Sequence, residues 1–398
     1  MKYFLVRFIH KKIIDSCIFT IKFFTRVKKN RITLHQPFKF GYDCNQKYIS
    51  EEILKQELPY EIIWITRDKK LVKESPISKI KFVLESNVLE YLYYVLTSKI
   101  CITNARWALH EFPIKRKGQI FMNTWHGSLG IKKVGGSKNS KKISKNEPSN
   151  ILKLTDYFIS NSTFETDVYR NSINFRNEIL EFGHPRNDIL IDGILTQAEK
   201  ENINKQVRQY NNNNIPNDTK LVLYAPTFRN NSNIKCFDMD YQLLIKTLEQ
   251  KFGNKFVLLL RLHPTIRNLY KNFTVSTHNI FDYTNYTDIQ ELMLAADIMI
   301  TDYSSCIFDY ILTRKAGFIY ASDIEEYDQA RGFYYPLEST PFPVIKNNNE
   351  LKEKILKFDN TNYKKEVEKF LDSKGCIEDG MASKRVVEFI KKQLNEVK

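Results

Sequence analysis

Hydrophobic residues fall along this chain in short runs, and polar stretches with helical spacing separate them. "EIIWIT" (61–66), "KFVLE" (81–85), "ICIT" (100–103), "QIFMNT" (119–124), "YFIS" (157–160) and "EILEF" (178–182) predict buried strands. "VLEYLYYVLTSK" (88–99), between two of them, predicts a helix. This alternation is that of a parallel sheet wrapped by helices. "QYNNNNIPND" (209–218) cannot build a core and reads as a linker. The pattern then restarts. "KLVLYA" (220–225), "KFVLLLRL" (255–262), "DIMIT" (297–301) and "GFIYA" (317–321) predict strands, and "MDYQLLIKTLEQKF" (239–252) places Leu244, Leu248 and Phe252 on one helical face. The fold class is therefore α/β, with two units joined by a polar hinge. Open parallel sheets bind ligands beyond the carboxyl ends of their strands, so the expected site is the cleft between the units.

Chemistry-bearing residues follow the strands with unusual regularity. "QIFMNT" runs into Trp125-His126-Gly127, "KLVLYA" into Pro226-Thr227-Phe228-Arg229, "KFVLLLRL" into His263-Pro264, and "DIMIT" into Asp302-Tyr303-Ser304-Ser305. A lone histidine after a strand is ordinarily a satisfied residue at a core edge, and a lone arginine a surface charge. Four such groups at strand ends that face one crevice form a candidate site. After Thr301, Asp302 or Ser304 can cap a helix whose apolar side includes Ile307, Phe308, Ile311 and Leu312. Free N–H groups there, with the Ser304 and Ser305 hydroxyls, would cradle phosphate; the plain alternative is an ordinary N-cap.

Charge sharpens the ligand class. The 398 residues carry 61 Lys+Arg against 46 Asp+Glu, a net charge of +15, which favours an anionic partner. There is no RNP-like motif or zinc finger and the basic residues are scattered, so nucleic acid is not expected. The six cysteines form no CxxC and no zinc spacing, consistent with reduced cytosolic thiols. In "MKYFLVRFIHKKIIDSCIFTIKFFTRVKKNR" charged residues interrupt the apolar runs, making a poor spanning helix and a poor signal peptide. Two readings stay open for it: an amphipathic helix on a membrane surface, or a helix packed on the first domain. The expected location is peripheral, on the cytoplasmic face of the membrane.

In order and spacing, "TWHGSLGIKKVG" (124–135), "YFISNSTFETDVY" (157–169), "GHPRNDIL" (183–190), "YAPTFR" (224–229), "RLHP" (261–264), "AADIMITDYSSCIFDY" (295–310) and "RGFYY" (331–335) resemble the CDP-glycerol glycerophosphotransferase family of teichoic-acid and capsule synthesis. The resemblance runs from about Asp43 to Tyr335. It implies a GT-B-like fold of two facing Rossmann-like domains: a basic amphipathic segment over 1–40, an acceptor domain over 41–208 and a donor domain over 219–398. It also implies transfer of an alditol phosphate from CDP-glycerol or CDP-ribitol to a hydroxyl of a polyprenyl-diphosphate-linked saccharide or polyol-phosphate acceptor at an anionic membrane surface, with release of CMP. His126 and His263 would be catalytic. Arg229, Thr301, Asp302, Ser304 and Ser305 would bind the donor, and Gly127 and Lys132 the acceptor or its phosphate. No cofactor and no metal are implied, and Asp302 is read as a cap. Two departures are visible. The first motif is "WHGSLGIKK" where many members read W-H-G-T-P-L-K, which resembles polyribitol-type subgroups. His184 stands where tyrosine is common, and the segment is read as a turn without a catalytic role.

The chemistry fits these residue types. An alcohol is a weak nucleophile at neutral pH, and a histidine base at His126 would activate it. Fixed donors at Arg229, His263, Ser304 and Ser305 would hold the diphosphate and the charge gathering on CMP. A GT-B glycosyltransferase using a nucleotide sugar is the alternative that the same cleft allows.

Overall fold

The computed structural model describes residues 2–38, 41–105, 107–109, 112–130, 132–134, 154–227, 238–262 and 278–395. Two all-parallel sheets organise them. The first has seven strands: β1 (Lys28–Gln36), β2 (Glu61–Thr66), β3 (Ile80–Leu84), β4 (Ser98–Thr103), β5 (Ile120–Asn123), β6 (Tyr157–Ser160) and β7 (Glu178–Glu181), in the order β3-β2-β1-β4-β5-β6-β7. The second has six: β8 (Lys220–Tyr224), β9 (Phe256–Leu260), β10 (Ile280–Asp282), β11 (Ile298–Thr301), β12 (Ala316–Tyr320) and β13 (Val344–Ile345), in the order β10-β9-β8-β11-β12-β13. Each sheet starts in its middle, grows to one edge, then returns to grow from the other side of its first strand. That is the doubly wound, GT-B-like arrangement, with switch points between β1 and β4 and between β8 and β11.

The expected strands form because their apolar residues serve both faces of a covered sheet. On β2, Ile62 and Trp64 enter one core layer while Ile63 and Ile65 enter the other. The strand β1 has no counterpart among the expected elements, and it lies inside the stretch assigned to a peripheral segment. Its polar residues are buried and paired. Arg31 donates to both oxygens of Glu61 at 2.9 Å, and His35 contacts Glu85 at 2.7 Å and Thr103 at 3.1 Å. Burial lowers the His35 pKa despite the Glu85 partner.

Both ends of the described chain pack on the first domain. The helix Lys2–Phe24 sends Ile14 and Ile18 into one face, and Arg116 holds its last turn through the carbonyls of Thr25 (2.7 Å) and Ile21 (3.0 Å). Its other side exposes Ile13, Phe19, Phe23 and Phe24. No helix among the described residues is long and apolar enough to cross a membrane. The helix Ala382–Asn395 buries Val386, Val387 and Ile390 beside Ile49, Ile53 and Trp64 of the first domain. The chain thus crosses between domains twice: 219–398 is not one continuous unit, and the expected linker at 209–218 lies past the first crossing, because the helix Gln197–Gln209 buries Val207 in the second core and Tyr283 donates to the Val207 carbonyl. A periodic apolar face says that a helix must be covered, not by which domain.

Candidate active site

The loop after β5 carries the first histidine. Trp125 adopts a left-handed backbone, φ 54°, strained for a large side chain. The Asn123 side chain accepts from its N–H at 2.8 Å, and Asn45 donates to its carbonyl at 3.1 Å. Its indole stacks on the His126 ring at 4.7 Å, and Phe38 meets that ring edge-on at 5.1 Å. Gly127 is required here: an added Cβ would lie 2.8 Å from Trp125 Nε1.

The His126 tautomer follows from its partner. Nδ1 lies 2.8 Å from the Asn104 carbonyl, which can only accept, so Nδ1 carries the proton and Nε2 presents its lone pair. Nε2 has no hydrogen-bond partner among the described residues, and the side chain is open to the cleft. Desolvation by the surrounding protein lowers its pKa from the ordinary 6.5; Arg186, Lys132 and His184 add to this, and the hydrogen bond to the Asn104 carbonyl opposes it. This direction keeps the imidazole neutral and basic at neutral pH.

Facing it across the cleft is the turn after β11. The Cβ position of Gly127 is 4.0 Å from Ser305 Oγ, which brings the two domains' motifs together. Ser304 Oγ accepts from Cys306 N at 3.4 Å, at the start of the helix Cys306–Tyr310. Two of the expected donor-binding residues have other work. Thr301 is fully buried, and its hydroxyl donates to the Ala225 carbonyl at 2.6 Å, so it ties β11 to the loop after β8 rather than facing a ligand. The buried Asp302 accepts from Thr227 N at 2.8 and 3.0 Å and from Tyr303 N at 2.6 Å, which makes it a clamp on the loop after β8. Lys132 forms a backbone bridge to Phe333, and Lys133 N donates to Gly332 O at 3.0 Å, so the "RGFYY" segment of the second domain grips the histidine loop. Arg229 and His263 lie outside the described residues. Among the described residues, no group of three or more His, Cys, Asp or Glu side chains is placed to hold a metal ion.

Several residues at the domain junction were not singled out from sequence. Arg186 and Asn187 lie on the 3₁₀ helix Pro185–Leu190, the "GHPRNDIL" segment read as a turn. His184, before it, is fully buried with Nε2 3.0 Å from Glu165 Oε2, in keeping with a structural place for this departure. Lys47 and Tyr48 of the helix Cys44–Lys55 each reach Asp288 of the second domain at 2.7 Å. Asp43 is buried at the same junction; desolvation, with Asp288 adding, pushes its carboxyl up to about 7. Burial lowers the pKa of Arg261, with Asp43 opposing. Arg261 belongs to the "RLHP" motif, two residues before the expected catalytic histidine.

Comparisons with known proteins place the chain in a family. A family model described as CDP-Glycerol:Poly(glycerophosphate) glycerophosphotransferase matches residues 17–392. A teichoic acid poly(glycerol phosphate) polymerase of Bacillus spizizenii is 31% identical over 364 residues, covering 87% of this chain and 88% of that protein. A polymerase of the same description from Staphylococcus epidermidis is 30% identical over 378 residues, 89% of this chain but 50% of that protein, so the chain spans half its length. The teichoic acid ribitol-phosphate polymerase TarL of Staphylococcus aureus is 27% identical over 393 residues, 96% of this chain and 65% of that protein. Among solved structures, the wall teichoic acid polymerase TagF superposes with a TM-score of 0.80 at 27% identity, covering 98% of this chain and 96% of that one. A variant of TagF soaked with CDPG also superposes with a TM-score of 0.80.

Proposed function

Because the chain belongs to the CDP-glycerol:poly(glycerophosphate) glycerophosphotransferase family, we propose that it transfers glycerol phosphate from CDP-glycerol to a hydroxyl of a lipid-linked or polymeric acceptor in teichoic-acid-type synthesis. One observation carries the reading: a histidine whose tautomer is fixed with Nε2 free among the described residues, facing a serine turn of the other domain. The acceptor hydroxyl gives its proton to His126 Nε2 as its oxygen attacks the β-phosphorus, the one bearing the alditol. The bond from that phosphorus to the bridging oxygen breaks, and CMP leaves with the electron pair. A positioned general base of this kind contributes about 10²–10⁴ in rate. Ser304 and Ser305 hold the diphosphate with the N–H groups of their turn, assisted by Arg229 and His263. Lys132 draws in the anionic acceptor, which approaches over Gly127.

The acceptor is met at an anionic membrane surface, which the exposed aromatic side of the helix Lys2–Phe24 and its neighbouring cations suit. Incubation with CDP-glycerol, CDP-ribitol and UDP-sugars tests the donor. Release of CMP from CDP-glycerol, with a product one glycerol phosphate heavier, is expected. Preferential turnover of CDP-ribitol would change the alditol, and UDP release would mean a glycosyltransferase instead.

A further inference from the structure

A circuit of buried hydrogen bonds begins on Gly127 and ends on Ser128. Arg186 Nη2 donates to the Gly127 carbonyl. The same guanidinium makes a fork to Asp309, with Nε to Oδ2 at 2.9 Å and Nη2 to Oδ1 at 3.1 Å. Asn187 Nδ2 bridges Asp309 Oδ1 (3.0 Å) to Glu378 Oε1 (2.8 Å). Asn161 Nδ2 then bridges Glu378 Oε1 (3.1 Å) to Ser128 Oγ (3.0 Å). Arg186 and Asn187 belong to the first domain. Asp309 sits on the helix directly behind the Ser304–Ser305 turn of the second, and Glu378 precedes the helix that crosses back.

We propose that Arg186 is a positioning residue that locks the His126 loop to the phosphate-facing turn of the opposite domain. The inference rests on the reading of His126 as the base. A lysine could neutralise Asp309, but it has no planar fork to hold Gly127 and Asp309 in one geometry. Arg186 Nη1 is buried with no partner among the described residues, an arrangement that local stability alone would not favour. The charged and titratable groups around the His126 ring are the Arg186 guanidinium, Lys132 from its own loop, and the His184 imidazole from the segment before the 3₁₀ helix. No carboxylate among the described residues is bonded to the ring. Asp309 takes the far side of Arg186, and the Cys44 thiol lies near the same guanidinium.

Three variants test the proposal: Arg186→Lys, Arg186→Gln, and Arg186→Gln with Asp309→Asn, the last sparing the fold a lone buried carboxylate. Nitrogen-15 spectra of labelled histidine read the ring without turnover. The wild type should show the single Nδ1–H tautomer, and Arg186→Lys a mixture of both. In the glutamine variants the ring should titrate at a higher pH, since a neighbouring cation is gone. In Arg186→Lys, kcat for CMP release should fall about 10²-fold from misplacement of the base, with KM for CDP-glycerol within about threefold. Retention of the single tautomer in Arg186→Lys overturns the proposal. So does kcat within twofold of wild type, or a tenfold loss of CDP-glycerol affinity, which would make Arg186 a donor ligand. Should the wild type release no CMP from any CDP-alditol, the functional reading fails, while the tautomer measurement still decides the clasp.

Discussion

Replacing Phe19, Phe23 and Phe24 together by serine should detach the protein from lipid while leaving its catalytic centre intact. The three rings are 69%, 72% and 77% exposed, and Phe23 meets Phe24 at 5.0 Å, so they form one apolar ridge. Inserting a phenylalanine side chain is worth about 1.5–3 kcal/mol when complete. Scaled for present exposure and mutual contact, the ridge is worth about 4 kcal/mol, roughly a thousandfold in partition. Ile14 and Ile18, which hold the helix to the domain, face the other way and are untouched. Exposed Lys11, Arg26 and Lys28 add about 1 kcal/mol each, but only at an anionic surface and at low salt. Sedimentation with neutral and anionic vesicles separates the contributions. The serine variant should lose binding to both vesicle types, while Lys→Gln changes should weaken only the anionic, salt-sensitive part. Turnover of a soluble acceptor should persist. Vesicle binding of the serine variant within threefold of wild type would refute the reasoning.

His126→Asn should lower turnover about 10³-fold while leaving CDP-glycerol affinity, read by calorimetry, nearly intact. In the wild type, kcat/KM should fall as pH drops through a value below 6.5, because protonation fills the Nε2 lone pair, and this limb should vanish in His126→Asn. Gly127→Ala should cut kcat about 10²-fold, since its Cβ must displace the Trp125 indole 2.8 Å away; unchanged kcat would show that the loop has room to adjust. Ser304→Ala with Ser305→Ala should weaken CDP-glycerol binding about tenfold by removing two hydroxyl donors, and an unaltered dissociation constant would take the diphosphate elsewhere. Asp188 accepts from the N–H groups of Ala382 (2.9 Å) and Ser383 (2.7 Å), capping the last helix, so Asp188→Ala should cost about 1–2 kcal/mol in urea unfolding.

Much of the fold could be read from apolar runs because both sheets are covered on both faces, which turns strands such as Glu61–Thr66 and Tyr157–Ser160 into uninterrupted hydrophobic words. The strand Lys28–Gln36 escaped because its buried polar residues find partners on strands distant in sequence, such as Glu61 beneath Arg31. Ile280–Asp282 and Val344–Ile345 are too short to carry a period. At the site, His126 and the serine turn were legible because each follows a strand and so must face the crevice. The burial of Thr301 was not, since a hydroxyl satisfied by a carbonyl from a neighbouring strand reads the same as one facing a ligand. Arg186 was hidden for the same reason: its meaning lies in Asp309, more than a hundred residues away.

The return of the helix Ala382–Asn395 makes the first domain discontinuous in sequence. Two covalent spans, near 184–196 and 374–381, therefore join the domains, since Val207 of the helix Gln197–Gln209 already lies in the second core. One tether permits swivelling in any direction; two restrain it to opening and shutting about the line that joins them. A single protease nick in the first span would leave the halves connected through the second crossing and the embedded helix, so they should co-migrate in native sizing. Severing the molecule at that span would also leave the second half carrying a bare apolar helix face. The two halves therefore cannot be exchanged between proteins as simple linear cassettes.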